Sequence, residues 1–400
     1  MTMWWGPFVG LFAVSLLTAL AATPLARRLA WRIGSVDHPG GRRINSKPLP
    51  RMGGIAVACG LATGMLFYYF VVTFGRLPRL VSLGATAPST FNTPLIVLGF
   101  CLMFLTGLLD DYYSLSPKQK FFGQIVAASV GVAGGLVIDV MVNPLVNEAI
   151  VLGWAAYPIT VIYLVAYANI FNLIDGLDGL ASGIACIASL TMWVVSTMAG
   201  HPSGAALAIA LAGATLGFLR YNFNPASIIL GDSGSLLIGF ALGAVSLLSV
   251  QRVAGLTSII VPLVISGIPI IDTFSAIVRR GRAHVSIGQA DKGHIHHRLM
   301  DEGFNQRQTV IFIYAWTVLL CVGSIVMTQV EVLPRILIFC LLILASVLFA
   351  MRLHLFKPVL LHHYNPETGA DELVNPQDEA FEEAEEEFEE RHSLFPHARD

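Results

Sequence analysis

Eleven apolar runs, most of them close to 20 residues long, follow one another along this 400-residue chain. They lie at about 7–26, 53–73, 93–109, 121–141, 150–171, 179–199, 204–219, 234–250, 256–275, 309–328 and 333–352. A helix needs about 20 residues to cross bilayer hydrocarbon, and within lipid only helices or closed barrels satisfy every backbone group. The runs are continuous rather than alternating, which argues against a barrel. Only 12% of residues are Asp, Glu, Lys or Arg, where soluble domains carry about 25%. The expected fold is all-α: a polytopic membrane protein with about 11 transmembrane helices. The first run has no basic stretch before it and no small-residue cleavage site, so it reads as a retained span. The ninth holds Pro262, Gly267 and Pro269 and is expected to kink or break.

Charge then orients the chain. Loops after odd-numbered runs, with the C-terminal tail, hold 20 of the 24 Lys and Arg residues; Arg76, Arg79, Arg252 and Arg335 lie on the other side. The positive-inside rule puts the N-terminus outside and the C-terminus in the cytoplasm. On that reading every dense polar cluster is cytoplasmic: Asp37–Arg51, Asp110–Lys120, Asn172–Asp178, Arg220–Asp232 and Arg279–Arg307. An active site in cytoplasmic loops follows, since a transporter would keep polar groups near mid-span. From Glu367 onward the chain carries 13 of its 26 acids and only Arg391 and Arg399 as bases. Residues 1–355 therefore read as the membrane domain and 356–400 as an acidic tail, solvated and disordered. The five cysteines sit in apolar runs without CxxC or Cys/His spacing, which argues against disulfides and zinc.

The stretch NIFNLIDGLDGLASG (169–183) sets Asp175 and Asp178 beside Asn172 with no base nearby. Tandem Asp-Gly pairs mark turns, yet unpaired acids at a bilayer edge call for a cation. Asp110 and Asp111 end the third run, and adjacent carboxylates suit either a shared proton or a metal. Lys120 follows, able to reach an anionic head group. Asp232 stands at the threshold of the eighth run in GDSGS, where helix capping and metal binding compete as readings. Asn222, in RYNFNP, offers an amide. In HIHHRL, His294, His296, His297 and Arg298 crowd with Lys292 as a candidate phosphate patch. Arg51 closes a basic first loop, DHPGGRRINSKPLPRMGG. Hard oxygen donors in this number favour Mg²⁺ or Mn²⁺ over zinc, and a divalent metal with basic loops suits phosphoryl chemistry.

In this order the motifs DHPGGRR…PRMGG, GLLDDYYSLSPKQKFFGQ, NLIDGLDGLASG, RYNFNP…GDSGS and HIHHRL resemble the polyprenyl-phosphate N-acetylhexosamine-1-phosphate transferase family, across roughly residues 1–350. The HIHHRL form is similar to the WecA/TagO type, which uses UDP-GlcNAc, rather than the MurNAc-pentapeptide branch. The resemblance implies a multi-pass enzyme of the bacterial cytoplasmic (inner) membrane. Such an enzyme moves GlcNAc-1-phosphate from UDP-GlcNAc to undecaprenyl phosphate, releases UMP and starts an envelope polysaccharide such as O-antigen or teichoic acid. It implies Asp110 as the acid that deprotonates the lipid phosphate and Asp111 as its essential neighbour. Asp232 would be the principal Mg²⁺ ligand, with Asp111 and Asp175 in the metal set. Asn172, Asp175, Asp178 and Asn222 would face metal and nucleotide. Lys120 would face the lipid phosphate, and Arg51, His294, His296, His297 and Arg298 the remaining anionic groups. The chain departs from the family pattern in two places: Ile229 stands where an aromatic can stack on uracil, and the first loop, with Arg43, Asn45 and Lys47, differs from the usual run.

The competing readings are MurNAc-pentapeptide specificity, a transporter of an anionic lipid-linked substrate, and a CDP-alcohol phosphotransferase. The last needs its acids within one helix, whereas here they spread over three loops. Expected partners are the two substrates and the lipid bilayer, with no nucleic acid and with a homodimer as the option to test.

Overall fold

The helices start and stop at the polar punctuation between the apolar runs. The structure, a computed structural model, describes residues 6–37, 47–74, 91–142, 149–250, 257–283, 293–357, 359, 361–365, 370–374 and 380. Arg42, Arg43, Asn45, Lys292 and the acidic run from Phe381 lie outside the described residues. The main helices are α1 (Gly6–Ile33), α2 (Gly54–Phe74), α3 (Thr93–Tyr113), α4 (Pro117–Ala133), α5 (Ala156–Ile174), α6 (Leu180–Met198), α7 (Pro202–Asn222) and α8 (Gly231–Val250). They continue with α9 (Thr257–Ile265), α10 (Gly267–Arg282), α11 (Ile295–Asp301), α12 (Gln306–Gln329) and α13 (Val332–Arg352). By contacts the chain divides into two compact units, 1–270 with 306–342 and 271–305 with 343–400.

Every apolar run contains a helix, and nine helices among the described residues are long and apolar enough to span a bilayer. The chain is thus a multi-pass, mainly helical membrane protein. Two runs depart from the expected span. The fourth shortens to the 17 residues of α4 because the chain turns at Gly134 and Gly135, the latter at φ +103°. The ninth divides between α9 and α10 at Ser266, as its prolines foretell. Pro269 has no N–H to give the carbonyl of Ile265.

Within the first unit, α8 is the central helix. Its Gly231–Ser249 stretch is 89% buried, packed by α2, α3, α5, α6 and α7. With no hydrophobic drive between helices in lipid, association depends on close backbone approach at small residues. A Cβ at Gly239 would lie 2.4 Å from the Tyr167 carbonyl of α5, and one at Gly107 the same distance from the Asp232 carbonyl. On α7, a Cβ at Gly217 would meet the Leu16 carbonyl of α1 at 2.4 Å. These contacts bring the helix ends that carry polar residues onto α8.

Three antiparallel ribbons interrupt the expected all-α pattern: Val36–Asp37 (β1) with Leu49–Pro50 (β2), Val140–Val142 (β3) with Ala149–Val151 (β4), and Leu361–Asn365 (β5) with Ala370–Val374 (β6). The last adds an ordered ribbon to the segment 356–400, expected to be mostly disordered. Leu361 and Val374 pair across the ribbon and are buried together with Ala380 against them. This local apolar cluster precedes the acidic run.

Candidate active site

Local signals set the first half of the site. α3 ends with Ser114 at φ +51°, and the Leu115 amide donates to Asp110 Oδ1 at 2.8 Å. Two residues later α4 opens on a capping box. The Ser116 hydroxyl accepts from the Gln119 amide, the Gln119 side chain accepts from the Ser116 amide, and Pro117 takes the first turn. Asp110 and Lys120 are thereby fixed on opposite sides of one tight corner, and Lys120 Nζ lies 2.8 Å from Asp110 Oδ2.

The same ammonium donates to Asp232 Oδ1 at 2.8 Å and to Asn172 Oδ1 at 3.0 Å. Asn172 in turn donates to Asp232 Oδ1 and, at 2.9 Å, to the Ser235 hydroxyl. Arg51 Nη2 reaches the other oxygen, Asp232 Oδ2, at 3.1 Å. Asp232 is the hub of four separate segments. The Arg51 backbone is held in place by β2 and by neighbouring main-chain bonds, its amide to the Ser35 carbonyl and the Gly53 amide to the Ile229 carbonyl.

Asp111, not the Asp232 side chain, caps α8. Its carboxylate accepts from the Asp232 amide at 2.8 Å, the Ser233 amide at 3.0 Å and the Ser233 hydroxyl at 2.6 Å. It therefore caps α8 from another helix, satisfying donors that a helix start leaves unpaired. The Asp232 side chain is released from that duty and faces Lys120, Asn172 and Arg51. Gly231, at φ +75°, brings its backbone so close that a Cβ would lie 2.7 Å from the Asp111 oxygens.

Beyond the hub, Asp178 Oδ2 accepts from the Asn224 side chain at 3.1 Å and the Ala226 amide at 3.0 Å. Asn222 is buried, and its amide is committed within the fold. Its oxygen accepts from the Gly179 amide and the Ser182 hydroxyl, and its nitrogen donates to the Ile228 carbonyl. Asn222 thus ties two loops together in the structure. Asp175 makes no hydrogen bond among the described residues. Enclosure by the surrounding helix ends, then the charges of Asp232 and Asp111, push its carboxyl well above the usual range.

The second unit holds the histidines. Asp272, on α10, accepts from His294 Nδ1 at 2.8 Å and from the Ile295 amide at 2.7 Å. His296 stacks on His294 with ring centroids 5.8 Å apart and tilts against His297 at 4.4 Å. Burial, then the His297 charge, hold the His296 imidazole neutral, its pKa down at about 3. His297 and Arg298 are half-buried, and Arg298 Nη2 donates to the Lys357 carbonyl at 3.1 Å.

Comparison with known proteins decides the family. Residues 93–250, from the start of α3 to the end of α8, match the model of glycosyl transferase family 4. A Bacillus subtilis protein described as "Probable undecaprenyl-phosphate N-acetylglucosaminyl 1-phosphate transferase" is 39% identical over 84% of this chain and 90% of its own length. The chain belongs to glycosyl transferase family 4. This family 4 chain is also 36% identical, over 76% of its length and 78% of the relative, to a decaprenyl-phosphate N-acetylglucosaminephosphotransferase of Mycolicibacterium smegmatis. It is 28% identical, over 77% of its length and 91% of the relative, to a phospho-N-acetylmuramoyl-pentapeptide-transferase of Halalkalibacterium halodurans.

In this family 4 enzyme, then, Arg51, Asp110, Asp111, Lys120, Asn172 and Asp232 form one contact network, with Asp175 within electrostatic reach and Asp178 next along. Sequence reasoning passed over several residues that hold it. Asn224 bonds Asp178 and, at 2.6 Å, Gln306; Arg307 donates to the Asn224 carbonyl; the Tyr314 hydroxyl donates to the Gly179 carbonyl. The Asn-Pro step at 224–225 was a readable turn signal. Nothing in the sequence near Gln306 or Tyr314 announces their partners.

The donor set fits a hard divalent ion. Among the described residues Asp110, Asp111 and Asp232 pair with Arg51 and Lys120, three carboxylates to two cations, so negative charge is in surplus. Among the described residues no three His, Cys, Asp or Glu side chains converge as a cage. Mg²⁺ characteristically uses one or two carboxylates with substrate phosphates and water rather than an all-protein cage.

Proposed function

We propose that this chain transfers GlcNAc-1-phosphate from UDP-GlcNAc to undecaprenyl phosphate, releasing UMP and starting an envelope polysaccharide. The observation that carries the reading is the surplus of carboxylates around Asp232 at the mouth of an apolar helix bundle. It is a place where a lipid phosphate and a sugar nucleotide can meet only if positive charge accompanies them. The relatives named for GlcNAc-1-phosphate transfer support the choice of sugar. The 20-to-4 distribution of Lys and Arg supports a cytoplasmic site in the bacterial inner membrane, with the N-terminus outside and the C-terminus inside.

On this reading Asp110 takes the proton of the lipid phosphate. Lys120, bridging Asp110 and Asp232, orients both carboxylates. The freed phosphate oxygen attacks the sugar-bearing phosphorus of UDP-GlcNAc, and the bond to UMP breaks. Arg51 and Lys120 face the charge that develops on the oxygens. Asp232 and Asp175 would hold Mg²⁺, which when bound offsets diphosphate charge and steadies the leaving UMP. Asp111 acts from behind by fixing the α8 terminus. His294, His296, His297 and Arg298 are assigned to anionic groups of the donor, with His296 as a neutral member.

The test is a detergent-purified enzyme supplied with undecaprenyl phosphate and a panel of UDP-sugars. Mg²⁺-dependent release of UMP from UDP-GlcNAc is the expected outcome. Release from UDP-MurNAc-pentapeptide alone would move the chain to that specificity, and release from no UDP-sugar would overturn the proposal.

A further inference from the structure

The acid on α10 belongs to none of the roles above, yet it is 1% exposed and bonded on both oxygens. Asp272, Ser275 and Arg279 recur at helical spacing on one face of α10. The Ser275 hydroxyl donates to the Asp272 carbonyl at 2.9 Å, and Arg279 Nη1 donates to that hydroxyl at 3.1 Å and to the Leu355 carbonyl at 2.6 Å. The histidine segment is laid on this face. Gly293 lies so near Arg279 that a Cβ would stand 2.4 Å from its Nε. The next residue, His294, meets Asp272 through Nδ1, and the residue after that through its amide. Three consecutive positions are therefore registered against one helix face, two of them by a single carboxylate.

A carboxylate only accepts, so the ring nitrogen facing it carries the proton. With Nδ1 committed as a donor, Nε2 is a lone pair in the neutral ring and an N–H only in the imidazolium, which the adjacent carboxylate favours. We propose that Asp272 is a positioning residue for His294. It fixes the ring plane and holds the imidazolium, so that Nε2–H is the donor presented to a phosphate oxygen of the UDP-sugar. The proposal rests on the assignment of the histidine segment to the donor's anionic groups. Asparagine at 272 keeps the volume but must offer an N–H at one of the two contacts. With its oxygen on the Ile295 amide, it would drive His294 to the opposite tautomer.

The experiment is a binding cycle on the full-length protein in detergent, titrating UDP-GlcNAc into wild type, Asp272→Asn, His294→Gln and the double variant. Outer partners of this kind change affinity by about 10- to 100-fold. Asp272→Asn is expected to weaken binding by at least about tenfold in the wild-type background and by under about twofold beside His294→Gln. Equal weakening in both backgrounds would make Asp272 merely structural, and unchanged binding in the first would remove it altogether; either overturns the proposal. Asp272→Glu, which keeps the charge, is expected to bind better than Asp272→Asn. Should the variants fail to fold, nitrogen-15 spectra of histidine-labelled wild type still decide. A protonated Nδ1 at His294 is expected, and a ring protonated at Nε2 alone overturns the proposal. If wild type binds no UDP-GlcNAc, the functional reading falls, while the nitrogen-15 result continues to judge the Asp272–His294 pair.

Discussion

The carboxylate cluster and the histidine cluster solve the same problem, holding charged groups near lipid, by opposite means. Around Asp232 the residues come from distant segments and meet at the ends of α3, α4, α5 and α8, with Arg51 entering ahead of α2. Negative charge is left over. Around His294 a single helix face registers three consecutive residues, and burial keeps His296 uncharged. One region is assembled by tertiary packing and stays electrically incomplete; the other is fixed locally, by one carboxylate on one helix face. The lesson is that incompleteness marks where a charged ligand is expected, while local closure marks a preorganised support.

The comparison breaks most sharply at Asp232 and Asp111. Asp232→Asn is expected to lower kcat by about 100-fold or more, the scale on which losing one charge-stabilising group acts, while the melting temperature stays near wild type. Asp111→Asn should lose turnover too, but with destabilisation of about 1–3 kcal/mol, because an amide N–H would then face the donors of α8. Parallel UMP-release assays and thermal melts separate them. Equal melting temperatures for the two variants would refute the division of labour between hub and cap.

A smaller effect is expected at the packing that assembles the first cluster. Gly107→Val would press Cβ against the Asp232 carbonyl, costing about 1–3 kcal/mol by overpacking. Gly281→Ala is the control, since a Cβ there meets nothing within 4 Å. Melts of both variants provide the check, and equal stability would mean that α3 and α8 can part without cost.

The mildest test is by pH, and it addresses the histidines. His296 has a folded pKa of about 3, below its ordinary 6.5, so between those values the unfolded chain binds more protons than the native one. Its contribution to stability is fully present above pH 6.5 and is lost progressively as pH falls toward 3. Denaturation curves at pH 7.5 and 4.5 should therefore lie closer together for His296→Gln than for wild type. An unchanged gap would show that His296 is not kept neutral in the fold.

Much of this was legible from residue types alone. Apolar run length marked each helix, and the prolines of the ninth run marked its break. The acids of the third, fifth and eighth runs were singled out by residue type and place. What could not be read was who satisfies whom. Asp232 could have capped its own helix, and only the approach of α3 at Gly107 hands that task to Asp111. For Asn222 the motif gives type and place but not its partners, Gly179, Ser182 and Ile228. The ribbon at 361–374 escaped because its two apolar residues that pair, Leu361 and Val374, lie 13 positions apart in a polar stretch.

The cap across helices also has a bearing on synthesis. Asp111 leaves the ribosome 121 residues ahead of the amide of Asp232 that it must receive, so through the insertion of five further apolar runs the donors it caps are still missing. A nascent chain halted before Gly231 carries the acids of the third and fifth runs without the helix that organises them. The order of translation thus leaves the site unassembled until α8 is threaded into place.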